Sequence, residues 1–317
     1  MSESTTASSA AFLQKLLGST APSRSRTALQ FEGVELPLII LNAREHGPVV
    51  WVEAAVHGDE NDGTAACLRL AESLDGKLLR GSVVLVPAAN PDAYRAGALG
   101  SPKDGRNLNR MGNADDDSFS VRWFAFLRDL VYSAADVFLD LHGGGRWLDV
   151  APFAMTFKGH APSLELAMKL DLDYVLENPS TANLISALSR EGIPSILLES
   201  GSGSSIREEA VERHCRNVLR ILSLHSMVET EDASFTAPKR LSVLEDLYFP
   251  QEGALVRFAP VGTHLAEGDR IVEYAAWPSL EPHVLASPLK DGVLLSVHSS
   301  SLIRKGAYAA LIGAAEK

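Results

Sequence analysis

Cysteine is almost missing from this chain: only Cys67 and Cys215 occur in 317 residues. Both sit inside apolar helical patterns, as small buried hydrophobes do, and two thiols make no disulfide framework. Such usage points to a reducing compartment, and a cytoplasmic location is expected. No apolar run approaches the roughly 20 residues that a membrane-crossing helix needs. Residues 1–25, rich in Ser, Thr and Ala, lack the basic start and apolar core of a secretory signal. That segment is expected to be a flexible tail, with at most a loose helix around 11–17. Basic residues are outnumbered, 29 Lys and Arg against 40 Asp and Glu, for a formal charge of −11. No Lys/Arg cluster offers the footprint that phosphate contacts require. Nucleic acid and membrane are therefore excluded as partners, while a homo-oligomer stays open.

What is present reads as an ordinary globular composition, 46% hydrophobic and 22% charged. Short β-branched runs at 36–41, 49–56, 82–87, 137–141 and 194–198 predict strands, several of them apolar on both faces. Strands of that kind suit a sheet covered by helices on both sides. Helix-spaced apolar residues at 63–74, 119–134, 182–190 and 207–227 supply those helices, giving an α/β sandwich around a mixed or parallel sheet. We expect this unit to fill 26–228, with a linker at 229–240 where acidic, Ser, Thr and Pro residues replace the periodic hydrophobes. Regular turn signals from 241 to 317 predict an all-β domain. Its "VGTHLAEGDRIVEY", "ASPLKDGVLL" and "HSSSLIRKGAYAALI" segments resemble the halves of a barrel-sandwich domain of the biotinyl/lipoyl type. Lys290 lacks the flanking methionines of a carrier lysine and reads as a surface turn residue.

Four motifs fall at strand ends or in the loops beside them, where open α/β sheets place their sites. They are "VEAAVHGDEN", "DGRNLNRM", "VFLDLHGGG" and "IPSILLESGSG". A catalytic zinc takes three imidazole or carboxylate ligands and leaves a fourth position to water. His57 and Glu60, three apart just after a strand, can turn onto one ion, and His142 arrives from another strand as the third ligand. One zinc per chain is the expectation. A further carboxylate must take a proton from water and return it to the leaving group; Glu199, closing an apolar strand, fits. Taken alone, Glu199 could equally serve the N-terminus of the helix at 206–227. Asp140 could orient the His142 imidazole or cap a neighbouring backbone. Asp115, Asp116 and Asp117 read as a solvated turn ahead of the next helix. His160, His214, His225, His264, His283 and His298 read as structural or exposed.

Together "HGDE", "NPDA", "DGRNLNR", "DLH" and "LLESG" stand in the order of the succinylglutamate desuccinylase/aspartoacylase family, a branch of the zinc-carboxypeptidase-like hydrolases that this sequence resembles from about residue 49 to 222. The resemblance implies zinc on His57, Glu60 and His142, with Glu199 as general base and later acid. It also implies a small N-acyl amine as substrate, whose carboxylate Asn109 and Arg110 would hold, a role that suits a guanidinium fork. Two departures stand out. Leu99 occupies the place of an arginine that commonly polarises the scissile carbonyl, with Arg95 or Arg106 as candidate substitutes. Met111-Gly112-Asn113 stands where Phe-Pro-Gly is usual. The expected reaction is hydrolysis of an amide in a small N-acylated amino acid or related amine. The alternatives are a metallocarboxypeptidase acting on a small peptide, and a zinc-retaining binding protein without catalysis.

Overall fold

The computed structural model describes residues 2–18, 21–229 and 236–315. Residues 1, 19 and 20 of the expected tail and 230–235 of the expected linker lie outside the described residues. The chain opens with a helix, α1 (Ser2–Leu17), well beyond the short one expected around 11–17. Its Leu13 is fully buried under the sheet.

The strands β1 (Ser23–Phe31), β2 (Val34–Asn42) and β3 (Glu45–Ala54) precede α2 (Asp62–Ser73), β4 (Arg80–Val86) and α3 (Pro91–Ala96). A 3-10 turn (Leu108–Asn113) leads to α4 (Phe119–Ala134), β5 (Val137–His142), β6 (Leu148–Phe157) and α5 (Ala161–Ala167). Then come β7 (Tyr174–Asn178), α6 (Leu184–Arg190), β8 (Ser195–Ser202) and α7 (Glu208–Leu224). The C-terminal part is all strand. It comprises β9 (Lys239–Leu241), β10 (Val243–Tyr248), β11 (Gly253–Phe258), β12 (His264–Leu265) and β13 (Arg270–Ala276), followed by β14 (Pro282–Ala286), β15 (Gly292–His298), β16 (Leu302–Ile303) and β17 (Tyr308–Ala314).

A mixed sheet runs in the order β1-β2-β4-β3-β5-β8-β6-β15-β17-β10, and a smaller antiparallel sheet in the order β14-β13-β11-β16. The expected α/β fold with a C-terminal β unit is therefore present. That unit also extends the main sheet, because β15 pairs antiparallel with β6.

Strand alternation builds two cores, one on each face. On β5, Phe138 enters one core with Trp51, Trp123 and Leu197 beneath α1, α4 and α6. Val137, Leu139 and Leu141 enter the other with Val50, Val52 and Ile196 beneath α2, α5 and α7. Each fully buried side chain of this size contributes ~1.5–3 kcal/mol. The same alternation carries Glu53, Asp140, His142 and Glu199 onto the Trp51 face.

Strands β3, β5 and β8 are parallel neighbours, so their C-terminal ends share one edge. That edge is where the motif residues gather. No helix among the described residues is long and apolar enough to cross a membrane.

Candidate metal centre

The first ligand segment leaves β3 through a strained turn. Ala55 has φ 54°, a left-handed conformation that costs a non-glycine residue on the order of 1 kcal/mol. Its carbonyl accepts from Asn90 N at 3.1 Å, and Gly58 N donates to Ala98 O at 2.8 Å. Gly58 is pressed so tightly onto α3 that a Cβ there would lie 1.9 Å from the Ala93 carbonyl carbon. Only glycine allows this approach. The turn delivers His57 and Glu60 just before α2 begins.

From the second strand, His142 closes β5 in direct register with Glu199 of β8. One ligand atom each from His57, Glu60 and His142 lies within 4.8 Å of the others, a cluster that could hold a metal ion. His57 Nδ1 is 2.8 Å from Glu60 Oε1, and His142 Nδ1 is 2.9 Å from Glu60 Oε2.

The far sides of the rings show that this cluster fits a cation. His57 Nε2 lies 3.0 Å from Asn107 Oδ1, an atom that already accepts from Asn109 N. An acceptor there assigns the ring proton to Nε2. His142 Nε2 lies 2.9 Å from Asp140 Oδ2, out of line for a hydrogen bond, so neither atom has a partner. A carboxylate at that distance again favours a proton on Nε2. Both Nδ1 lone pairs then converge on an acceptor-only carboxylate, which is the donor set of a divalent cation.

In the metal-free chain protons answer the same field. Burial pushes the Glu60 carboxyl up, yet the charges of His57 and His142 outweigh it and hold Glu60 well below the usual range. Burial disfavours protonated His142, but Asp140 and Glu60 outweigh that and hold the imidazole well above its ordinary value.

Glu199 differs from these. The residue keeps some exposure at its outer atoms, but Oε2 is sealed from solvent and has no hydrogen-bond partner among the described residues. Burial, then the Glu60 charge, pushes this carboxyl up to about 8. A carboxyl poised near neutrality can take and return a proton. Arg110 supplies an opposing charge to it.

The other expected residues fall into place unevenly. Asn109 is buried in the 3-10 turn, and the exposed Arg110 follows it. Among the described residues the Arg110 guanidinium hydrogen-bonds the Asn109 carbonyl through Nη1 at 2.9 Å and enters no ion pair. Arg95 lies on α3, paired to Asp92 at 3.2 Å with its side chain 63% exposed. It lines a cavity of about 450 Å³ with Gly58, Asp59, Tyr94 and Arg146. Arg106 is taken up by Asp116, at 2.6 Å, and by Ser118. Leu99 is 43% exposed.

Sequence reasoning missed Asn107, which caps the 3-10 turn and orients His57. Its signal was the extra Asn two residues before Asn109. It also read His214 only as structural or exposed. That side chain is buried on α7, donates Nε2–H to the His142 carbonyl at 3.1 Å, and is pushed down to about 4 by burial. Glu53, fully buried beside Asp140 in the register, went unnoticed too. Burial, then the Asp140 charge, pushes its carboxyl well up, and Trp51 Nε1 donates to it at 3.3 Å.

Comparison with known proteins bears on this geometry. Residues 46–225 match the succinylglutamate desuccinylase/aspartoacylase catalytic domain. The N-alpha-acetyl-L-2,4-diaminobutyric acid deacetylase of Halomonas elongata is 33% identical over 208 residues, 62% of this chain and 60% of that protein. The match therefore spans about three fifths of the length of that curated relative. Among solved structures, the product-bound ectoine utilization protein of Ruegeria pomeroyi superposes with a TM-score of 0.82 at 23% identity, covering 94% of this chain and 96% of that one. A succinylglutamate desuccinylase/aspartoacylase from Rhodobacter sphaeroides gives 0.77 at 23% identity, covering 94% and 95%. At these identities the structural likeness establishes the fold.

Proposed function

The chain belongs to the succinylglutamate desuccinylase/aspartoacylase family, and we propose that it hydrolyses the amide of a small N-acylated amino acid or related amine in a zinc-dependent reaction. A carboxylate and a free amine are the products. The observation that carries this reading is the convergence of His57 Nδ1, His142 Nδ1 and the Glu60 carboxylate, with a partnerless Glu199 carboxyl in register beside them. The Halomonas elongata relative, a deacetylase by name, supports an N-acyl diamino or amino acid as the substrate class.

His57, Glu60 and His142 would hold one zinc per chain. Bound there, zinc would act as a Lewis acid on the attacking water and the scissile carbonyl. The protein's own part is proton movement and placement. Asn107 and Asp140 keep the ring protons on Nε2, leaving both Nδ1 atoms as ligands. Glu199 takes a proton from the attacking water and later delivers it to the departing amine nitrogen. Arg110, which enters no ion pair among the described residues, pairs with the substrate carboxylate while Asn109 completes the grip. Retention of Glu199 within reach of the Glu60 and His142 charges favours catalysis over binding alone.

Metal analysis of the purified chain, run beside a hydrolysis screen of N-acyl amino acids, tests the reading. About one zinc per chain with turnover of at least one amide is expected. Zinc without turnover of any amide would overturn the catalytic assignment.

A further inference from the structure

Three glycines follow His142, and they have no side chains with which to fix their own path. Two backbone amides of the segment nevertheless carry contacts to the ligand turn. Gly143 N donates to Glu60 Oε2 at 3.1 Å, and Arg146 N donates to Asp59 Oδ2 at 3.0 Å. Gly144 N reaches Gly201 O at 3.3 Å, and Leu148 N returns to Gly144 O at 3.0 Å. Gly145 is left-handed, with φ 54°. A segment this free in the unfolded chain takes its shape from whatever anchors its ends. One end is His142. The other is Trp147, and its anchor comes from the C-terminal strands.

Ser299 N donates to the Trp147 carbonyl at 2.9 Å. The Trp147 ring lies offset and nearly parallel to the His298 ring, with 6.3 Å between centroids and 15° between planes. Arg304 places its guanidinium 5.6 Å from the Trp147 ring centre. His298 is itself immobilised. It is 2% exposed, its Nε2 is 3.0 Å from Leu302 O, and Phe249 meets it edge-on at 5.2 Å. Pairing of His298 with Leu148 continues the β15–β6 ladder into the loop. A solid aromatic shelf built from the C-terminal unit thus ends the loop that grips Asp59 and Glu60.

We propose that Trp147 and His298 are positioning residues: through their stack the C-terminal strands set the loop amides that orient Glu60, and so the cluster it forms with His57 and His142. The metal half of this inference rests on the zinc reading above; the loop half does not. Aromatic pairs of this geometry act beyond simple area burial, and contacts one step removed from a ligand commonly change metal affinity 10- to 100-fold.

The test uses the full chain with Trp147→Ala, Trp147→Leu and Trp147→Phe. In the metal-free protein, amide hydrogen exchange of the 143–148 peptide should quicken about tenfold in Trp147→Ala, while peptides from β3 and β5 keep their protection. Zinc affinity, read by competition with a chromogenic chelator, should weaken roughly 10-fold or more. Trp147→Phe, which restores a ring face, should return both readouts to within about threefold of the parent. Should the β3 and β5 peptides also lose protection in Trp147→Ala, Trp147→Leu carries the same expectations, because it keeps apolar bulk without the ring. Unchanged loop exchange in the folded variants overturns the inference, and so does a failure of Trp147→Phe to rescue. A parent chain with no zinc affinity would overturn the metal reading instead, with loop exchange still deciding the role of the stack.

Discussion

Glu199→Gln keeps the outline of the side chain and removes its charge, so it should move activity and stability in opposite directions. Activity should fall by ~100-fold or more in kcat, the usual scale for losing a general base, with zinc content unchanged. The stability effect follows from the carboxyl being held at about 8 in the metal-free fold, against about 4.3 in an unfolded chain. A raised folded pKa means that the unfolded state ionises first. Folding therefore bears no cost from this group below about pH 4, and stability is lost as pH rises from there toward 8. At pH 7 the cost is roughly 4 kcal/mol, which the glutamine does not carry. With ~2 cal/mol/K of unfolding entropy per residue, this corresponds to a gain of about 6 °C in Tm for chelator-treated protein at pH 7. The gain should shrink toward zero by pH 4, and zinc should also abolish it, because a dication beside Glu199 favours the ionised form. The assay pairs steady-state hydrolysis by the zinc-loaded variant with thermal melts of both proteins in chelator from pH 4 to 8. Near-normal turnover would remove Glu199 from the chemistry. A variant less stable than the parent at pH 7, or a gap independent of pH, would refute the burial argument.

Three further outcomes are expected. His57→Ala and His142→Ala should each abolish zinc retention by elemental analysis, since two remaining ligands hold a catalytic zinc poorly; full occupancy in both would move the site elsewhere. Arg110→Lys keeps the charge but loses the planar fork, so kcat/KM for carboxylate-bearing substrates should drop tens- to thousands-fold, as loss of ~2–5 kcal/mol implies. An equal loss on an amide without a carboxylate would refute the clamp. Gly58→Ala places a methyl 1.9 Å from the Ala93 carbonyl carbon. It should therefore destabilise the fold by ~2 kcal/mol or more in urea unfolding and lower zinc content; a neutral effect would show that α3 yields freely.

Much of this protein is already written in its sequence. Continuous apolar runs marked β3, β5 and β8 as buried strands because parallel strands covered on both faces must be apolar throughout. Polar residues closing those runs marked His57, His142 and Glu199 as candidates; each alone has ordinary structural uses, and it was the four motifs together, in one order, that pointed to a metal site. Strand β6 escaped notice: Pro152 interrupts its pattern, and its place in the sheet comes from pairing with β8, β7 and β15, partners distant in the chain. The helical character of the N-terminal segment was underestimated because its Ser and Thr residues favour helix weakly, while the burial of Leu13 comes from tertiary packing.

Only the tertiary structure decided the rest of the site. Asn107 orients His57 from 50 residues away. His214 grips the His142 carbonyl from a helix that follows it by 72 positions. Trp147 meets His298 across nearly half the chain. Sequence alone names residues that a chemistry requires by type, because only a few side chains can bind a metal or move a proton. The groups that hold those residues in place act through ordinary hydrogen bonds and ring contacts, which almost any polar or aromatic residue can make. Which of them does so depends on the register and crossing of strands, and those are set by the packing of the whole fold.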